Sequence, residues 1–156
     1  DRQLTWEIAQ ALVSFIIPST LSPEEIPMAK TFMQMVQEAR AEVPGVNPVE
    51  AQWRFQEDPD ALLLEVRDAG NIPVDEKAPN MVNIALGMLP IRADLEVPEQ
   101  ARDPRLADRS RQVITTCRLG NLAALGARLL NDMGFTNVAY MDGGMRAWKD
   151  AGLPTV

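Results

Sequence analysis

The stretch that decides the fold reads, from residue 113 to residue 130, Val113-Ile114-Thr115-Thr116-Cys117-Arg118-Leu119-Gly120-Asn121-Leu122-Ala123-Ala124-Leu125-Gly126-Ala127-Arg128-Leu129-Leu130. Its β-branched start favours a strand, and its second half has the apolar spacing of a helix. The only cysteine of the chain therefore follows a strand and precedes a loop and a helix. Helix N-termini carry unpaired N–H groups and partial positive charge, and cysteines placed there have lowered pKa values. We expect Cys117 to be a nucleophile; the alternative is a small buried apolar residue.

Helix and strand patterns alternate on both sides of this stretch. Short apolar runs predict further strands over 61–66, 81–85 and 138–140, and helical spacing predicts helices over 47–55, 122–133 and 145–151. Residues 86–109 are rich in Pro and Arg and predict loop with one or two short helices. Such alternation is typical of an α/β domain with a mainly parallel sheet covered by helices on both faces. We assign residues 46–156 to this domain.

Residues 1–45 predict an N-terminal extension of two helices. The first covers Leu4 to Ile17 and has a broad apolar face. The second is introduced by Ser22-Pro23-Glu24-Glu25, which has the pattern of an N-cap, a proline in the first turn and a capping-box Glu, and it should continue to about Glu42. Both apolar faces need to be buried, either on the chain's own domain or across a subunit boundary.

Composition excludes several kinds of chemistry. The 156 residues include one cysteine and no histidine, so an internal disulfide, a Cys-based zinc cluster, Cys–His proteolysis and Ser–His–Asp hydrolysis are all excluded. We expect no metal and no cofactor. The net charge of −7 argues against nucleic acid as a partner, and no apolar run has the length of a membrane span. Catalysis must use a thiolate, carboxylates, Arg, Lys or backbone amides.

Over roughly residues 46–156 the chain resembles the rhodanese-like sulfurtransferases. The resemblance lies in four segments: Leu63-Leu64-Glu65-Val66-Arg67-Asp68, similar to a strand ending in D-V-R; Asn71-Ile72-Pro73 with Val82-Asn83-Ile84-Ala85, similar to a rearranged G-H-I-P-G-A-x-N-I-P; the Cys117 loop, at the active-site position; and Asp142-Gly143-Gly144-Met145-Arg146-Ala147-Trp148 with Ala151-Gly152-Leu153-Pro154, similar to the C-terminal G-G-x-x-x-W and G-L-P. The resemblance implies a rhodanese-like fold of about five strands.

It also implies a two-step reaction at Cys117. In this family the thiolate takes sulfane sulfur from polysulfide, thiosulfate or a protein persulfide, and passes it to a thiol or cyanide. The expected partners are therefore a small sulfur anion as donor and a thiol as acceptor. Loop amides would hold the extra sulfur, which gives as substrate-binding candidates Arg118, Leu119, Gly120, Asn121, Leu122 and Ala123. Polysulfide carriers that resemble this chain are often dimeric, and we expect a homodimer through the N-terminal helices.

The loop departs from the family's commoner pattern, C-x-x-G-x-R-S/T. Leu122 occupies the Arg position and Ala123 the hydroxyl position, so a guanidinium that would grip an oxyanion is missing there. A less oxygenated donor such as polysulfide fits this loop better than thiosulfate. Arg118, Arg67 and Arg92 are further candidates for anion binding, with a structural ion pair as the alternative for Arg67.

Two rival functions share this loop topology. Cysteine phosphatases need C-x5-R, and the corresponding position 123 is Ala, which excludes that class. The other rival is a catalytically inactive rhodanese-like module that binds a protein through the apolar loop. The lone cysteine favours the cytoplasm, with the periplasm as the alternative, since a chain with one thiol forms no intramolecular disulfide.

Overall fold

A parallel sheet of five strands forms the centre of the fold. The computed structural model describes residues 28–156, so the predicted helix from Leu4 to Ile17 lies outside the described residues. The strands are β1 (Gly45–Val46), β2 (Leu62–Glu65), β3 (Val82–Asn83), β4 (Val113–Thr116) and β5 (Val138–Met141). Their order is β1-β5-β4-β2-β3, and every pair is parallel. The predicted α/β class and parallel sheet are confirmed.

Five α-helices of the described chain cover this sheet. They are α1 (Phe32–Glu42), α2 (Pro48–Glu57), α3 (Leu89–Ala93), α4 (Asn121–Asp132) and α5 (Gly144–Asp150). Four single 3₁₀ turns lie in the connections, at Ala69–Asn71, Val74–Glu76, Glu99–Ala101 and Pro104–Leu106. The short α3 and the last two turns occupy the segment 86–109, where sequence predicted loop with one or two short helices.

Alternate side chains of the central strands pack into two separate hydrophobic cores, because successive side chains of a strand point to opposite faces of the sheet. On β2, for example, Leu62 and Leu64 face one core and Leu63 faces the other. The first core is covered by α1, α3 and α4, and the second by α2 and α5. Trp148 is 2% exposed and fills the second core. Because helices pack on both faces, the central strands are buried throughout and read as continuous apolar runs.

The start of α1 differs from the prediction. Residues 28–31 are not helical, and the helix begins at Phe32 after an N-cap at Thr31. Thr31 and Gln34 form a capping box, in which each side chain accepts from the other residue's amide. The predicted helix from Ser22 to Glu42 is therefore too long over residues 28–31, although its end is correct. The structure groups α1 with the sheet in a compact unit that spans Thr31–Val156, whereas the sequence placed this helix in the extension.

The order of the strands determines where a site can form. In open parallel sheets, ligands bind beyond the carboxyl ends of the strands. Cys117 follows the central strand β4 directly, Val66 follows β2, and Asp142 follows β5. No helix among residues 28–156 is long and apolar enough to cross a membrane.

Candidate active site

Cys117 lies at the carboxyl end of β4, between the sheet and the start of α4. The residue is 3% exposed and belongs to the first hydrophobic core, together with Val66, Ile84 and Leu89. Apolar groups therefore line its protein side, and little water reaches the sulfur. The sulfur therefore depends on backbone groups for its polar contacts.

Two backbone amides supply those contacts. The Gly120 amide donates to Cys117 Sγ at 3.1 Å, and the Ala123 amide donates to it at 3.4 Å. Gly120 is the N-cap residue of α4 and has no side chain that could accept from the first helical amides. In most helices a Ser, Thr, Asp or Asn oxygen accepts from the second or third helical amide. Here the sulfur of Cys117 takes that role at Ala123, so the thiol binds the positive end of α4.

The loop needs an unusual backbone at one position to make this geometry. Gly120 has a φ of +93°, in the left-handed region, and a Cβ there would lie 2.8 Å from the carbonyl oxygen of Met141. Glycine is the residue that adopts this conformation without cost and leaves that space empty. The turn at Gly120 brings its own amide and the first turn of α4 round the sulfur.

Four more amides of the loop have no partner. The N–H groups of Arg118, Leu119, Asn121 and Leu122 make no hydrogen bond within the part of the chain that the structure describes. Sequence predicted inward amides from Arg118 through Ala123; those of Gly120 and Ala123 bind the sulfur already. The remaining donors can serve a second sulfur atom attached to Cys117.

Hydrogen bonds to the carbonyl groups of the loop hold it in place. The Met145 amide donates to the Cys117 carbonyl at 2.8 Å, and the Arg146 amide donates to the Arg118 carbonyl at 3.0 Å. A third contact comes from β4 itself, where the buried Thr115 hydroxyl donates to the Ala123 carbonyl at 2.7 Å. The N-terminus of α5 and the side chain of Thr115 therefore fix the carbonyl side of the loop and leave its amides free for the sulfur.

Arg67 is buried in an ion-pair triad, and the hydrogen bonds of its guanidinium all go to carboxylates. Its guanidinium donates to Glu65 at 2.9 and 3.1 Å and to Glu76 at 2.6 Å, and all three residues are buried. Burial alone would lower the pKa of Arg67, but the hydrogen bonds that its guanidinium donates to the two carboxylates, together with their negative charge, outweigh it, so the pKa of Arg67 is raised. The contacts match the structural ion pair that the sequence left open.

The other arginine candidates differ in their surroundings. Arg92, on α3, donates through Nη1 to the carbonyl of Ala101 at 2.8 Å, which is a contact within the segment 86–109. Arg118 is exposed, and its side chain has no hydrogen bond or ion pair with any residue of 28–156. Of the two positions where the commoner loop has Arg and a hydroxyl residue, Leu122 is half-buried and Ala123 is fully buried. The loop thus lacks a fixed guanidinium of its own.

Sequence analysis missed one residue at this site, Arg40 on α1. Its guanidinium donates to the Asn121 side chain at 3.1 Å and to the Asp142 side chain at 3.3 Å. Nothing in the sequence signals this contact, because Arg40 precedes its two partners by 81 and 102 residues. No group of three His, Cys, Asp or Glu side chains among the described residues is placed to hold a metal ion.

Comparison with known proteins identifies the family. The model of the rhodanese-like domain matches residues 49–151, and the chain belongs to this family. Among curated proteins, none matches the chain. The family match covers every segment that carries the site except α1, which supplies Arg40.

Several solved structures share the fold. A protein of unknown function from Rhodopseudomonas palustris, described as a possible tyrosine phosphatase, is 27% identical with a TM-score of 0.75, over 83% of this chain and 96% of that one. The polysulfide-sulfur transferase homodimer of Wolinella succinogenes is 28% identical with a TM-score of 0.63, over 80% and 86%. A thiosulfate sulfurtransferase from Pseudomonas aeruginosa shares the fold at 20% identity, with a TM-score of 0.60, over 80% of this chain and 22% of that one. Family and neighbours support sulfur transfer in general.

Proposed function

We propose that the chain is a sulfurtransferase or sulfur carrier that forms a persulfide on Cys117. The observation that carries the proposal is the pair of amide donors, Gly120 and Ala123, on a buried cysteine sulfur at the start of α4. This arrangement stabilises negative charge on sulfur. The unpaired amides beside it can bind the terminal sulfur of a persulfide, which carries that charge after transfer.

The proposed reaction consists of two displacements at sulfur and involves no net oxidation or reduction. In the first step the Cys117 thiolate attacks the terminal sulfur of a polysulfide; the new S–S bond forms as the neighbouring S–S bond breaks, and a polysulfide shorter by one sulfur leaves with the electron pair. In the second step an acceptor thiolate, or cyanide, attacks the outer sulfur and releases the Cys117 thiolate. Neither step requires an external oxidant or a metal.

Polysulfide is the proposed donor because the loop has no fixed guanidinium of its own, and Arg40 beside it is already bound to Asn121 and Asp142. Thiosulfate carries an oxygenated sulfonate-like group that a guanidinium would bind in two places. Arg67 donates to Glu65 and Glu76, and the loop positions that would supply an Arg and a hydroxyl group are Leu122 and Ala123. A donor without oxygens needs only amides and apolar contact. The similarity to a polysulfide-sulfur transferase adds support.

A phosphatase function has no support in the geometry. Cysteine phosphatases bind phosphate with an Arg six positions after the cysteine. That position is Ala123, whose side chain is buried in the core and whose amide binds Sγ. The similarity to the protein described as a possible tyrosine phosphatase therefore supports a shared fold and not a shared activity.

One observation favours a second function, an inactive module that binds a protein. Cys117 is 3% exposed, whereas Leu119 on the same loop is 51% exposed, so the surface of the loop offers an apolar contact and hides the sulfur. In this alternative the loop surface, with Leu119 and Arg118, is the binding element and Cys117 is a packing residue. Accessibility of the sulfur to small reagents separates the two functions.

The test is intact-protein mass spectrometry after brief exposure to polysulfide and, separately, to thiosulfate. We expect polysulfide to add the mass of one sulfur atom to the wild type and none to Cys117→Ser, and a thiol or cyanide to remove it. Thiosulfate should load the protein more slowly. If neither donor adds sulfur while the protein is folded, sulfur transfer is excluded and the binding module takes its place.

A further inference from the structure

Arg40 contacts the Cys117 loop from a helix that lies outside the matched domain segment. Its Nη2 donates to Asn121 Oδ1 at 3.1 Å and its Nη1 donates to Asp142 Oδ1 at 3.3 Å. Nη2 also lies 3.6 Å from the point where a Cβ of Gly120 would stand. One side chain therefore binds the loop at Asn121, lies beside Gly120, and joins the loop to the turn that follows β5.

The guanidinium is fixed in this position. Its central carbon lies 5.2 Å from the centre of the Tyr140 ring, within the range of a cation–π contact. Nε is buried and has no hydrogen-bond partner among the described residues. The hydrogen bonds to Asn121 and Asp142 therefore come from the two terminal nitrogens. The planar fork of Arg suits such a contact, because it holds two acceptors at fixed directions, whereas a Lys would bind one at a time.

This side of the loop has few other supports. The carbonyl groups of Cys117 and Arg118 are held by α5, but the left-handed turn at Gly120 and the first residue of α4, Asn121, have only the Cys117 sulfur and Arg40 as side-chain partners. Gly120 is also one of the two donors to Sγ. Movement of this turn would therefore displace the amide from the sulfur.

We propose that Arg40 is a positioning residue for the proposed sulfur transfer. It holds the turn at Gly120 and Asn121 through its hydrogen bond to Asn121 Oδ1, so that the loop amides point at the sulfur before and after the outer sulfur is added. Arg40 acts through the loop and does not touch the sulfur donor. The proposal rests on the function proposed above, and its test contains one measurement that does not depend on that function.

The test compares Arg40→Met with Arg128→Met in the full chain. Arg128 is a matched control: it joins the same two helices through Glu38 and Glu42, at 3.7 and 3.0 Å, and its side chain is 33% exposed against 32% for Arg40. Its ion pairs contact neither Gly120 nor Asn121. Loss of a side-chain contact between α1 and α4 is therefore common to both variants, whereas loss of the ion pair with Asp142 and of support for the loop is specific to Arg40→Met.

Two rates are measured for each variant: sulfur loading by polysulfide, and alkylation of Cys117 by iodoacetamide over a range of pH. We expect Arg40→Met to slow loading by about tenfold or more, as a small misplacement of reacting groups does, and to move the alkylation profile to higher pH. Arg128→Met should match the wild type in both. Arg40→Lys should lie between, and Asn121→Ala, which removes one acceptor of Arg40, should resemble Arg40→Met and tests the contact if Arg40→Met fails to fold.

The outcomes separate the two proposals. If Arg40→Met and Asn121→Ala give the same loading rate and the same alkylation profile as Arg128→Met, Arg40 has only a structural role and the inference is wrong. If the wild type does not load sulfur at all, the proposed function fails, but the alkylation profiles still show whether Arg40 positions the loop.

Discussion

The carbonyl oxygen of Cys117 accepts a hydrogen bond of 2.8 Å from the amide of Met145. The peptide that carries the nucleophile is therefore bound by the first turn of α5, the helix of the C-terminal G-G-x-x-x-W motif. Gly144 makes this approach feasible, because a Cβ on it would overlap the Cys117 carbonyl oxygen and the backbone of Arg118. The Cys117 loop and the G-G-x-x-x-W segment, two of the four segments that suggested the family, are thus in direct contact.

A first prediction concerns this contact. Gly144 has a φ of +60°, so Gly144→Ala combines backbone strain with a collision against the loop. We expect it to lower the free energy of unfolding by about 3 kcal/mol and to abolish sulfur loading of the molecules that remain folded. Urea unfolding and mass spectrometry measure the two effects.

The matched control for Gly144→Ala is Gly152→Ala. Gly152 has a similar φ of +69°, but a Cβ there would meet nothing within 4 Å. Gly152→Ala should lower the free energy of unfolding only by the strain of a left-handed alanine, about 1 kcal/mol, and should leave sulfur loading unchanged. Equal effects of the two substitutions on loading would show that the contact between α5 and the loop is unimportant.

A second prediction concerns the choice of donor. Leu122→Arg places a guanidinium at the position where the commoner loop has one, and we expect it to accelerate loading by thiosulfate about tenfold, as one charge-assisted hydrogen bond would. Loading by polysulfide should change little. Leu122→Met is the control for lost packing. An equal change for both donors would contradict the view that the missing Arg sets the preference.

A third prediction assigns Arg67 a structural role. Arg67→Met leaves the buried carboxylates of Glu65 and Glu76 without their cation, and we expect a loss of about 3–5 kcal/mol in the free energy of unfolding. Adding Glu76→Met should recover part of that loss, because it removes one uncompensated charge. Urea unfolding measures both. A stable Arg67→Met protein that loads sulfur slowly would instead make Arg67 an anion-binding residue.

A fourth prediction concerns acid stability. Hydrogen bonds from Arg105 hold the pKa of Asp103 below its usual value. A lowered folded-state pKa stabilises the fold above the unfolded pKa, about 3.9 for Asp, and this contribution disappears as the pH falls below it. Asp103→Asn should therefore cost about 0.5–1 kcal/mol near neutral pH, a small value because Arg105 is half-exposed and screened by solvent.

Urea unfolding across pH 3–7 measures this effect of Asp103→Asn. The difference from the wild type should shrink as the pH falls through about 4. Asp132→Asn, at an exposed position on α4, is the comparison and should not show the same trend. A difference that is constant with pH would mean that the carboxylate charge of Asp103 contributes nothing.

A fifth prediction concerns assembly. The apolar face of the segment from Leu4 to Ile17 predicts a homodimer, and a similar polysulfide-sulfur transferase is a homodimer. Light scattering of the full chain should give twice the mass of the monomer, and Leu12→Glu, in the middle of that face, should give a monomer. A clean monomer for the wild type would end this proposal.

Much of the fold could be predicted because the buried strands are short apolar runs between helices. β2 and β4 are recognisable in this way, since both faces of each strand are covered. β1 was not predicted: its two residues, Gly45 and Val46, have no periodicity, and only pairing with Tyr140 and Met141 makes them a strand. Trp53 on α2 is 57% exposed despite its large apolar side chain, because helical spacing alone does not say which side of a helix faces the sheet.

The site divides in the same way. Cys117 and its amide donors come from one continuous segment, so local sequence was sufficient to predict them. Arg40 reaches the loop only because α1 packs against α4, and Glu76 meets Arg67 only after an intervening turn. Such partners are determined by tertiary packing, which no local pattern of residues encodes.

The sulfur that caps α4 is also the atom proposed to react, so the amides that bind it offer a way to follow the proposed reaction. Each turnover would change the acceptor that faces the Gly120 and Ala123 amides, first from a thiolate to the inner sulfur of a persulfide and then back. Their proton resonances should therefore form a built-in indicator of how much sulfur the protein carries, with no label attached. A slow exchange between two sets of peaks would count loaded and empty molecules directly, in one sample, while the donor is being consumed.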